Sequence, residues 1–408
     1  MTSRPVEFNP YAHDVHDDPF RVYRRLRDEA PVYRNDALGF WALSRYDDVL
    51  AALHDPETYC SRHGITLEQK PEFPMLITTD PPRHTELRRL VSRAFTPRRA
   101  ADLETPIRTL AASYLDGFVE HGEADLISEF AARLPMDVIS RMLGVDAGDE
   151  EMLRAWSDDL LHRDEGVPDV TPVGLDAAVH LYRYFLDLAR AKRHRPGDDL
   201  TSALLGAEID GERLTEVDVV GFCFLLIIAG NETTTKLLGN CLLALQRFPD
   251  QKATVLAEPG RIPDAVEEIL RYDGSTQLLA RTLTRDVEAH GEVMREGEKV
   301  LVLLGSANHD ERVWDRPDVF DLGRDKQLHL GFGHGIHVCL GAALARLEMR
   351  VSLEELLRRI PDYEIDETAL ERVHSGNVRG YSRMPMTFTA SRARGSRARG
   401  SPARGSAP

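Results

Sequence analysis

A single long helix is the feature that most constrains how this chain can fold. Thr215, followed three residues later by Asp218, has the pattern of a capping box, which starts a helix. The helical pattern continues to about Phe248, and its uncharged apolar run, 219–230, has the length of a buried core helix and is too short to cross a bilayer. The sequence therefore predicts a mainly helical fold around this element, without a membrane anchor.

A polar patch interrupts the apolar helix at residues 229–234, whose sequence is AGNETT. Glycine weakens a helix, and the Glu232 carboxylate loses hydration inside a core unless it is paired. Local exceptions of this kind are typical of functional sites. The alternative is that Gly230 lets another helix pack closely while Glu232 faces solvent, and this segment alone does not separate the two interpretations.

A second segment, residues 331–341 with the sequence GFGHGIHVCLG, presents one thiol from a glycine-rich loop. Apolar residues recur at helical spacing over 340–360, which predicts that Cys339 lies at a helix N-terminus. Amide hydrogens and the helix dipole favour negative charge there, and should lower the pKa of the thiol towards the iron-binding thiolate. The alternating glycines should let a large flat ligand approach the backbone. The segment predicts a single-thiolate metal site.

Two other ligands fit this segment less well. His334, His337 and Cys339 could contribute to a zinc site, but structural zinc usually has four ligands in paired spacings, and no second pair lies nearby. The glycine run also lacks the third glycine and the later acidic residue of a dinucleotide-binding loop.

Composition indicates one globular body and a tail. The 408 residues, 42% of them hydrophobic, are ample for a large core that encloses a ligand. A composition break occurs only near the C-terminus, so we predict one domain over 1–390 and a disordered tail rich in Arg, Gly and Ser over 391–408. Within the body, a small β portion is predicted from strand-like segments at 31–34, 39–43, 287–289 and 299–304.

Net charge and cysteine usage indicate which partners and which cellular compartment to expect. The formal net charge of -16 argues against nucleic acid as the main partner. The four cysteines are widely scattered, and the N-terminus has no signal-peptide pattern, so we expect a reducing, cytoplasmic location.

Two further segments carry charged pairs at helical spacing. Glu268 and Arg271 are three residues apart and alone would be interpreted as an ordinary surface ion pair. His84 and Arg88 are one turn apart after two prolines that suit a helix start. Together these residues could bind an anionic group, and the alternative is a solvated basic face.

In combination, the four segments resemble the cytochrome P-450 superfamily, specifically its soluble bacterial members, over nearly the whole body to about Phe388. The haem-binding signature FGxGxHxCLG is met at 332–341, the oxygen-activation motif AGxETT at 229–234, and the ExxR pair is Glu268 and Arg271. The resemblance implies the cytochrome P-450 fold, which is mainly α with a small β portion and forms a triangular helical prism enclosing haem b.

The resemblance also implies roles for individual residues. Cys339 would be the thiolate ligand of the iron, and backbone amides over 339–341 would donate to its sulfur. Glu268 and Arg271 would form a buried structural pair completed by either Arg324 or His329, a choice that the sequence leaves open. The implied haem-contacting residues are His84, Arg88, Ala229, Gly230, Arg281, Phe332, Gly333, His337, Cys339 and Gly341.

The implied activity is that of a monooxygenase, which inserts one oxygen atom of O2 into a hydrophobic small molecule. Thr233 and Glu232 would be the alcohol and acid that supply protons to bound oxygen. The alternatives are a peroxide-driven or rearranging haem-thiolate enzyme, which needs no external electrons, and a non-catalytic haem-binding protein.

The chain carries no reductase or flavin motif, so we expect electrons from NAD(P)H through ferredoxin reductase and ferredoxin. A local basic patch that includes Arg98, Arg99 and Arg346 is predicted to dock the ferredoxin. A monomer is expected. The candidate substrate-pocket residues are mostly apolar, and each suits core packing equally well: Ile65, Leu225, Ile228, Ala229, Leu278, Leu279 and Tyr381.

Overall fold

The computed structural model describes residues 5–68, 75–92, 95–209, 211–325 and 327–391. The predicted tail over 391–408 therefore lies outside the described residues except for Ser391.

Helices dominate the described chain, as the sequence predicts. The α-helices are α1 (His13–Asp17), α2 (Phe20–Glu29), α3 (Tyr46–His54), α4 (Arg83–Val91), α5 (Pro97–Asp102), α6 (Glu104–Phe118), α7 (Arg133–Leu143), α8 (Glu150–Leu161), α9 (Pro172–His194), α10 (Leu200–Leu205), α11 (Glu216–Arg247), α12 (Pro249–Ala257), α13 (Ile262–Tyr272), α14 (Leu304–Ala307) and α15 (Ala342–Arg359). One π-helical turn covers Ile127–Ala131, and 3-10 turns cover Leu76–Thr78, Pro259–Arg261, Gly335–His337 and Glu367–Ala369.

The strands are short. They are β1 (Val32–Asn35), β2 (Phe40–Leu43), β3 (Tyr59–Cys60), β4 (Glu123–Asp125), β5 (Glu208–Ile209), β6 (Glu212–Arg213), β7 (Leu279–Leu283), β8 (Val287–Ala289), β9 (Glu292–Met294), β10 (Lys299–Val302), β11 (Glu364–Ile365), β12 (Glu371–Arg372), β13 (Tyr381–Arg383) and β14 (Pro385–Thr387). The four predicted strand segments are confirmed, although the last ends at Val302 because Leu304 begins α14.

The largest sheet has five strands in the order β1-β2-β10-β7-β3. β2 pairs antiparallel with β1 and parallel with β10, and β10 pairs antiparallel with β7, where Val300 lies opposite Arg281. A three-stranded sheet has the order β11-β14-β4. The five-stranded sheet fixes the position of Arg281, one of the predicted haem contacts.

The central helix α11 runs through the core and joins two hydrophobic clusters. Its start is the predicted capping box, because the Thr215 hydroxyl accepts from the Asp218 amide while Asp218 accepts from Thr215. The first half packs with α9 and α10 residues such as Phe185 and Leu200, and the second half packs with α6, α13 and α15. The helix is long and apolar enough to cross a membrane, but 61% of its most apolar window is buried inside the protein. The polar patch 229–234 lies between the two clusters.

Candidate active site

One face of α11 is accessible to solvent, although most of the helix is buried. Ala229 is exposed, and Leu225, Ile228 and Thr233 are half-buried. Residues four apart lie on the same side of a helix, so these side chains form one accessible face. Leu225 and Ile228 pack against the same hydrophobic cluster as Leu340, the residue after Cys339. The accessible face of α11 and the thiol loop therefore border the same region.

Ala229 and Gly230, at the start of the polar patch, face different surroundings. A Cβ added at Gly230 would meet Ile139 of α7 at 3.5 Å, which is ordinary contact, so Gly230 faces a neighbouring helix. Ala229 faces the accessible region, and the Thr233 hydroxyl donates to its carbonyl at 2.9 Å. Of the pair predicted to leave room above a ligand, only Ala229 is placed to do so.

Cys339 lies in an internal recess. Its side chain is solvent-accessible, yet protein surrounds it closely enough that burial raises the pKa of the thiol. The Gly341 amide, Arg88 and Arg346 act in the opposite direction and favour the thiolate. Cys339 precedes a helix as predicted, although α15 begins at Ala342, with Gly341 as its cap, and therefore two residues later than expected. The predicted amide interaction with the sulfur is present, and it comes from Gly341.

The glycines of the thiol loop differ in whether neighbouring backbone packs against them. A Cβ added at Gly331 would lie 2.5 Å from the Leu270 carbonyl oxygen, and one added at Gly335 would lie 2.2 Å from the Leu53 carbonyl oxygen. The absence of a side chain at Gly331 and Gly335 therefore allows neighbouring backbone to approach. Gly333 has a φ of 64° and open space around its Cα. Gly341 is also open. The expectation that all three alternating glycines leave room for a flat ligand therefore holds only for Gly333.

A cluster of basic side chains adjoins the thiol loop. The ring of His84 lies 4.3 Å from that of His337, and the Arg88 guanidinium donates to the Val338 carbonyl at 2.6 Å. Burial, together with the charges of Arg281, His84 and Arg88, lowers the pKa of His337 to about 3, which places all four groups together. We call His84, Arg88, Arg281 and His337 the basic cluster.

The basic cluster has few partners of its own. Both ring nitrogens of His84 are buried without a hydrogen bond, and Arg281, 3% exposed, donates to the neighbouring Ala280 carbonyl at 2.8 Å. Among the described residues, no carboxylate forms an ion pair with Arg88 or Arg281. Buried cations and orphaned donors need anionic or accepting partners. A planar metal complex that carries two carboxylates, with its metal at Cys339, fits this donor set.

Glu232 is part of a buried charged network. Its carboxylate lies 3.1 Å from the Lys236 ammonium, and both side chains are almost fully buried. Lys236 and a hydrogen bond with Asp158 of α8 hold the pKa of Glu232 low against the effect of burial. Burial and the adjacent Glu232 raise the pKa of Asp158, so the proton of the pair resides on Asp158.

The network continues to solvent through α8. Arg154 donates to Asp158 at 3.1 Å and forms an ion pair with the exposed Glu151. The Asp158 side chain retains 42% of its exposure, so it connects the buried Glu232 with the surface. Glu232 is buried, so the alternative in which its side chain faces solvent is wrong.

Glu268 and Arg271 are buried, so the sequence interpretation of a surface pair is wrong and the family expectation is confirmed. Arg271 donates to both Glu268 oxygens, at 2.7 and 3.0 Å, and to the carbonyls of Asn308 and Pro317. Arg324 donates to Glu268 at 3.0 Å.

The choice between Arg324 and His329 is thereby decided in favour of Arg324. His329 contacts Glu267 instead, at 3.1 Å. Glu267 also binds Arg346, whose guanidinium lies over the ring of half-buried Phe332, 4.6 Å from its centroid. Arg346 thus holds Phe332, while the Phe332 carbonyl accepts from the Cys339 amide at 2.9 Å.

The candidate substrate-pocket residues separate into accessible and buried groups. Leu225, Ile228 and Ala229 lie on the accessible face of α11, and Ile65 and Leu279 are half-buried. Leu278 packs in a core cluster, while Tyr381 packs in another and accepts from Arg372 at 2.7 Å. The buried positions of Leu278 and Tyr381 favour core packing for both.

The predicted docking patch has two exposed members. Arg98 and Arg99 are exposed on α5, whereas Arg346 is tied to Glu267.

Sequence reasoning missed three residues of the site. Lys236 could have been found, since it is one turn from Glu232 on the predicted helix. Asp158 lies on a separate helix without a motif, and Ser61, whose hydroxyl is 3.2 Å from His337 Nε2, lies in a loop. No local pattern distinguishes these last two.

The family model described as Cytochrome P450 matches residues 180–366. A Mycobacterium tuberculosis protein named as cytochrome P450 123 is 46% identical over 94% of this chain and 97% of its own length. The steroid C26-monooxygenase of the same species is 38% identical over 91% of this chain and 94% of its own length.

Solved structures agree with these sequence matches. The cytochrome P450 CYP109Q5 of Chondromyces apiculatus superposes with a TM-score of 0.86 at 37% identity, covering 95% of this chain and 100% of that chain. A mutant of P450 EryK in complex with erythromycin B superposes with a TM-score of 0.85 at 34% identity, covering 93% of this chain and 97% of that chain.

Proposed function

The chain belongs to the cytochrome P450 family, and from this premise we propose which residues perform its reaction and where its electrons come from. Its activity is that of a haem-thiolate monooxygenase, and haem b is its cofactor. Thiolate-bound haem iron activates O2, so that one oxygen atom enters the substrate and the other leaves as water.

Cys339 is proposed as the iron ligand and the basic cluster as the partner of the haem propionates. The observation that carries this assignment is that an accessible thiol, the unpartnered ring nitrogens of His84 and the buried guanidinium of Arg281 adjoin in one recess. The Gly341 amide and the positive charges of Arg88 and Arg346 stabilise the thiolate. Phe332, whose ring carries the Arg346 guanidinium, is proposed to pack beside the thiolate.

Thr233, Glu232 and Asp158 are proposed to deliver protons. Asp158 holds a proton beside Glu232, and Lys236 keeps Glu232 as a carboxylate that can accept it. The Thr233 hydroxyl lies on the accessible face next to Glu232 and can pass the proton to a ligand in the recess, either directly or through one water. Arg154 and Glu151 connect Asp158 to bulk solvent.

Substrate and electron supply are also proposals. The accessible face of α11 is apolar at Leu225, Ile228 and Ala229, which favours a hydrophobic substrate. One relative is named as a steroid C26-monooxygenase and one solved neighbour holds erythromycin B, so steroids and macrolides are the first compounds to test. Electrons would come from NAD(P)H through ferredoxin reductase and ferredoxin, docked at Arg98 and Arg99, in the cytoplasm.

The test starts by titrating the ferric protein with steroids and macrolides and following the spin state of the iron. With a compound that shifts it, NADPH, ferredoxin reductase and ferredoxin should yield product from wild type. In Thr233→Ala, NADPH oxidation should continue while product falls about 100-fold and hydrogen peroxide is released.

Thr254→Ala is the matched control, because the Thr254 hydroxyl makes the same contact, 2.9 Å to the carbonyl four residues earlier, on exposed α12. This control should behave as wild type. Product that forms equally well from hydrogen peroxide without the electron carriers, and that is unaffected by Thr233→Ala, would instead support the peroxide-driven alternative.

A further inference from the structure

Three histidines from the two ends of the chain meet at one point on the surface. His13 and His16 lie on α1, and His374 lies in the loop after β12. One ring nitrogen of each can be chosen so that all three lie within 4.8 Å of one another. We propose that His13, His16 and His374 bind a divalent transition-metal ion of the zinc class, separate from the iron at Cys339.

The His16 and His374 pair is already arranged for such an ion. His16 Nε2 lies 2.8 Å from the Pro10 carbonyl oxygen, which can only accept, so Nε2 carries the hydrogen. The lone pair is therefore on His16 Nδ1, which lies 3.2 Å from His374 Nδ1. Two nitrogens bound to a tetrahedral zinc ion at its usual bond length are about 3.3–3.4 Å apart. The observed spacing is close to that value.

His13 supplies the third nitrogen after a change of side-chain rotamer. Its ring is stacked on His374, with centroids 3.6 Å apart and planes at 16°, so its in-plane lone pair does not yet converge with the other two. His13 Nε2 is buried without a hydrogen-bond partner. Turning the ring towards an ion therefore breaks no hydrogen bond at Nε2 and satisfies an orphaned polar atom.

The backbone on both sides of the cluster is held in place. Arg379 donates to the carbonyls of His16 and Asp17 and to the Asp273 carboxylate. The His374 carbonyl accepts from the Arg163 amide at 2.9 Å. A site needs ligands on fixed backbone, because ordering mobile segments weakens binding.

The surrounding charges tolerate a cation. Arg379 acts on His16 and His162 acts on His374 as positive groups, and the ion pair of Arg379 with Asp273 offsets the charge of Arg379. Asp17 and Glu165 lie close enough for their carboxylates to act on His374. A three-histidine site of this kind leaves a fourth position for water or a carboxylate.

Ion binding would link the N-terminal segment to the loop 373–379. His16 borders a crevice that Leu278 and Val378 also line, so the link would stiffen one wall of that crevice. The alternative is that the three rings only stack, with His374 donating to His16, and this alternative predicts no response to metal.

The test uses the full-length, haem-loaded protein, freed of adventitious metal by dialysis against a chelator. Zinc chloride is then titrated in competition with a chromogenic chelator. We expect one equivalent to bind to wild type, and binding to weaken at least about tenfold in His13→Ala, His16→Ala and His374→Ala, since even indirect partners of ligands contribute that much. His194→Ala, an exposed histidine at the end of α9, should bind as wild type.

A thermal scan gives an independent readout. Zinc at about 100 times its Kd should raise the Tm of wild type by about 3 °C and leave that of His374→Ala unchanged. The haem absorption spectrum of each variant checks that it is folded, so loss of zinc binding is distinguishable from loss of the iron site. The proposal is overturned if wild type binds no equivalent of zinc, or if the three variants bind it as wild type does.

Discussion

Two buried glutamates, each beside a base on its own helix, differ in what surrounds them. In α13, the Arg271 guanidinium lies 2.7 Å from the Glu268 carboxylate, and Arg271 makes further hydrogen bonds to carbonyl oxygens. Arg324 and a backbone amide also donate hydrogen bonds to the Glu268 carboxylate. In α11, Glu232 and Lys236 are 3.1 Å apart, and Glu232 shares a proton with Asp158, whose side chain reaches solvent.

The difference separates a structural pair from a pair that can move a proton. Glu268 accepts hydrogen bonds from two arginines and a backbone amide, which hold it in one geometry. A carboxylate beside a second, protonated carboxyl can exchange its proton with that partner. A pairing of Glu with a nearby base thus supports the fold in α13, and in α11 the same pairing is the one proposed to serve the reaction.

The largest effect is expected from breaking the α13 pair. Arg271→Ala leaves the Glu268 carboxylate buried without its main partner and should lower the free energy of unfolding by about 3–5 kcal/mol, measured by denaturant titration. Arg21→Ala, which breaks an exposed pair with Asp18, should change it by less than about 1 kcal/mol. Equal, small effects of the two substitutions would contradict a structural role for the α13 pair.

A third buried carboxyl, Glu348 of α15, sharpens the comparison because burial alone raises its pKa to about 8. In the unfolded chain the Glu348 carboxyl has a pKa near 4.5. Its contribution to the free energy of unfolding is therefore fully present below pH 4.5 and is lost as the pH rises towards 8. Glu348→Gln should therefore match wild type near pH 4.5 and be more stable by about 3 kcal/mol at pH 7. Unfolding titrations at both pH values check this, and an equal difference at the two would refute it.

Removing the base of the α11 pair should have a smaller, pH-dependent effect. Lys236 keeps the pKa of Glu232 low, so its contribution to stability is present above the unfolded pKa of glutamate and is lost as pH falls. Lys236→Met should lower the free energy of unfolding by about 1–3 kcal/mol at pH 8 and by less at pH 4. The double variant with Glu232→Gln should recover part of the loss, whereas an additive loss would show that the two side chains do not interact.

The mildest change tests the relay itself. Asp158→Asn keeps the shape of the side chain, but an amide is too weak an acid to transfer a proton to Glu232, so turnover should fall about tenfold and the kinetic solvent isotope effect should rise. Product and hydrogen peroxide are measured together with NADPH consumption. Asp159→Asn, the exposed neighbour on α8, is the matched control, and identical pH profiles for the two variants would exclude Asp158 from the relay.

Local patterns predicted the elements better than their junctions. The capping box and apolar run located α11, and alternation located the strands, because these signals depend on neighbouring residues. The structure starts α15 two residues later than the apolar pattern predicts, with Gly341 as its cap. The 3-10 turn before Cys339 and the close approach of Gly331 and Gly335 to Leu270 and Leu53 depend on tertiary packing, which a local pattern does not record. The pKa of Cys339 follows from that packing as well.

Contacts between residues that are far apart in the chain could not be predicted from the sequence. Asp158 reaches Glu232 from another helix, and His374 reaches His16 across 358 residues, so neither spacing carries a signal. Arg324 and His329 were equally suitable by residue type, and the distances alone decided between them. Burial also moved Leu278 and Tyr381 into core clusters, which composition cannot foresee.

The central claim is that Cys339 is the thiolate ligand of haem iron, and the absorption spectrum of the reduced, carbon monoxide-bound protein tests it most directly. Thiolate ligation shifts the main band far to the red, so wild type and the control Cys241→Ser, a thiol buried in the core, should both show that band. Cys339→Ser should bind haem without it. A wild-type spectrum that lacks the band, or a Cys339→Ser spectrum that keeps it, would contradict the account.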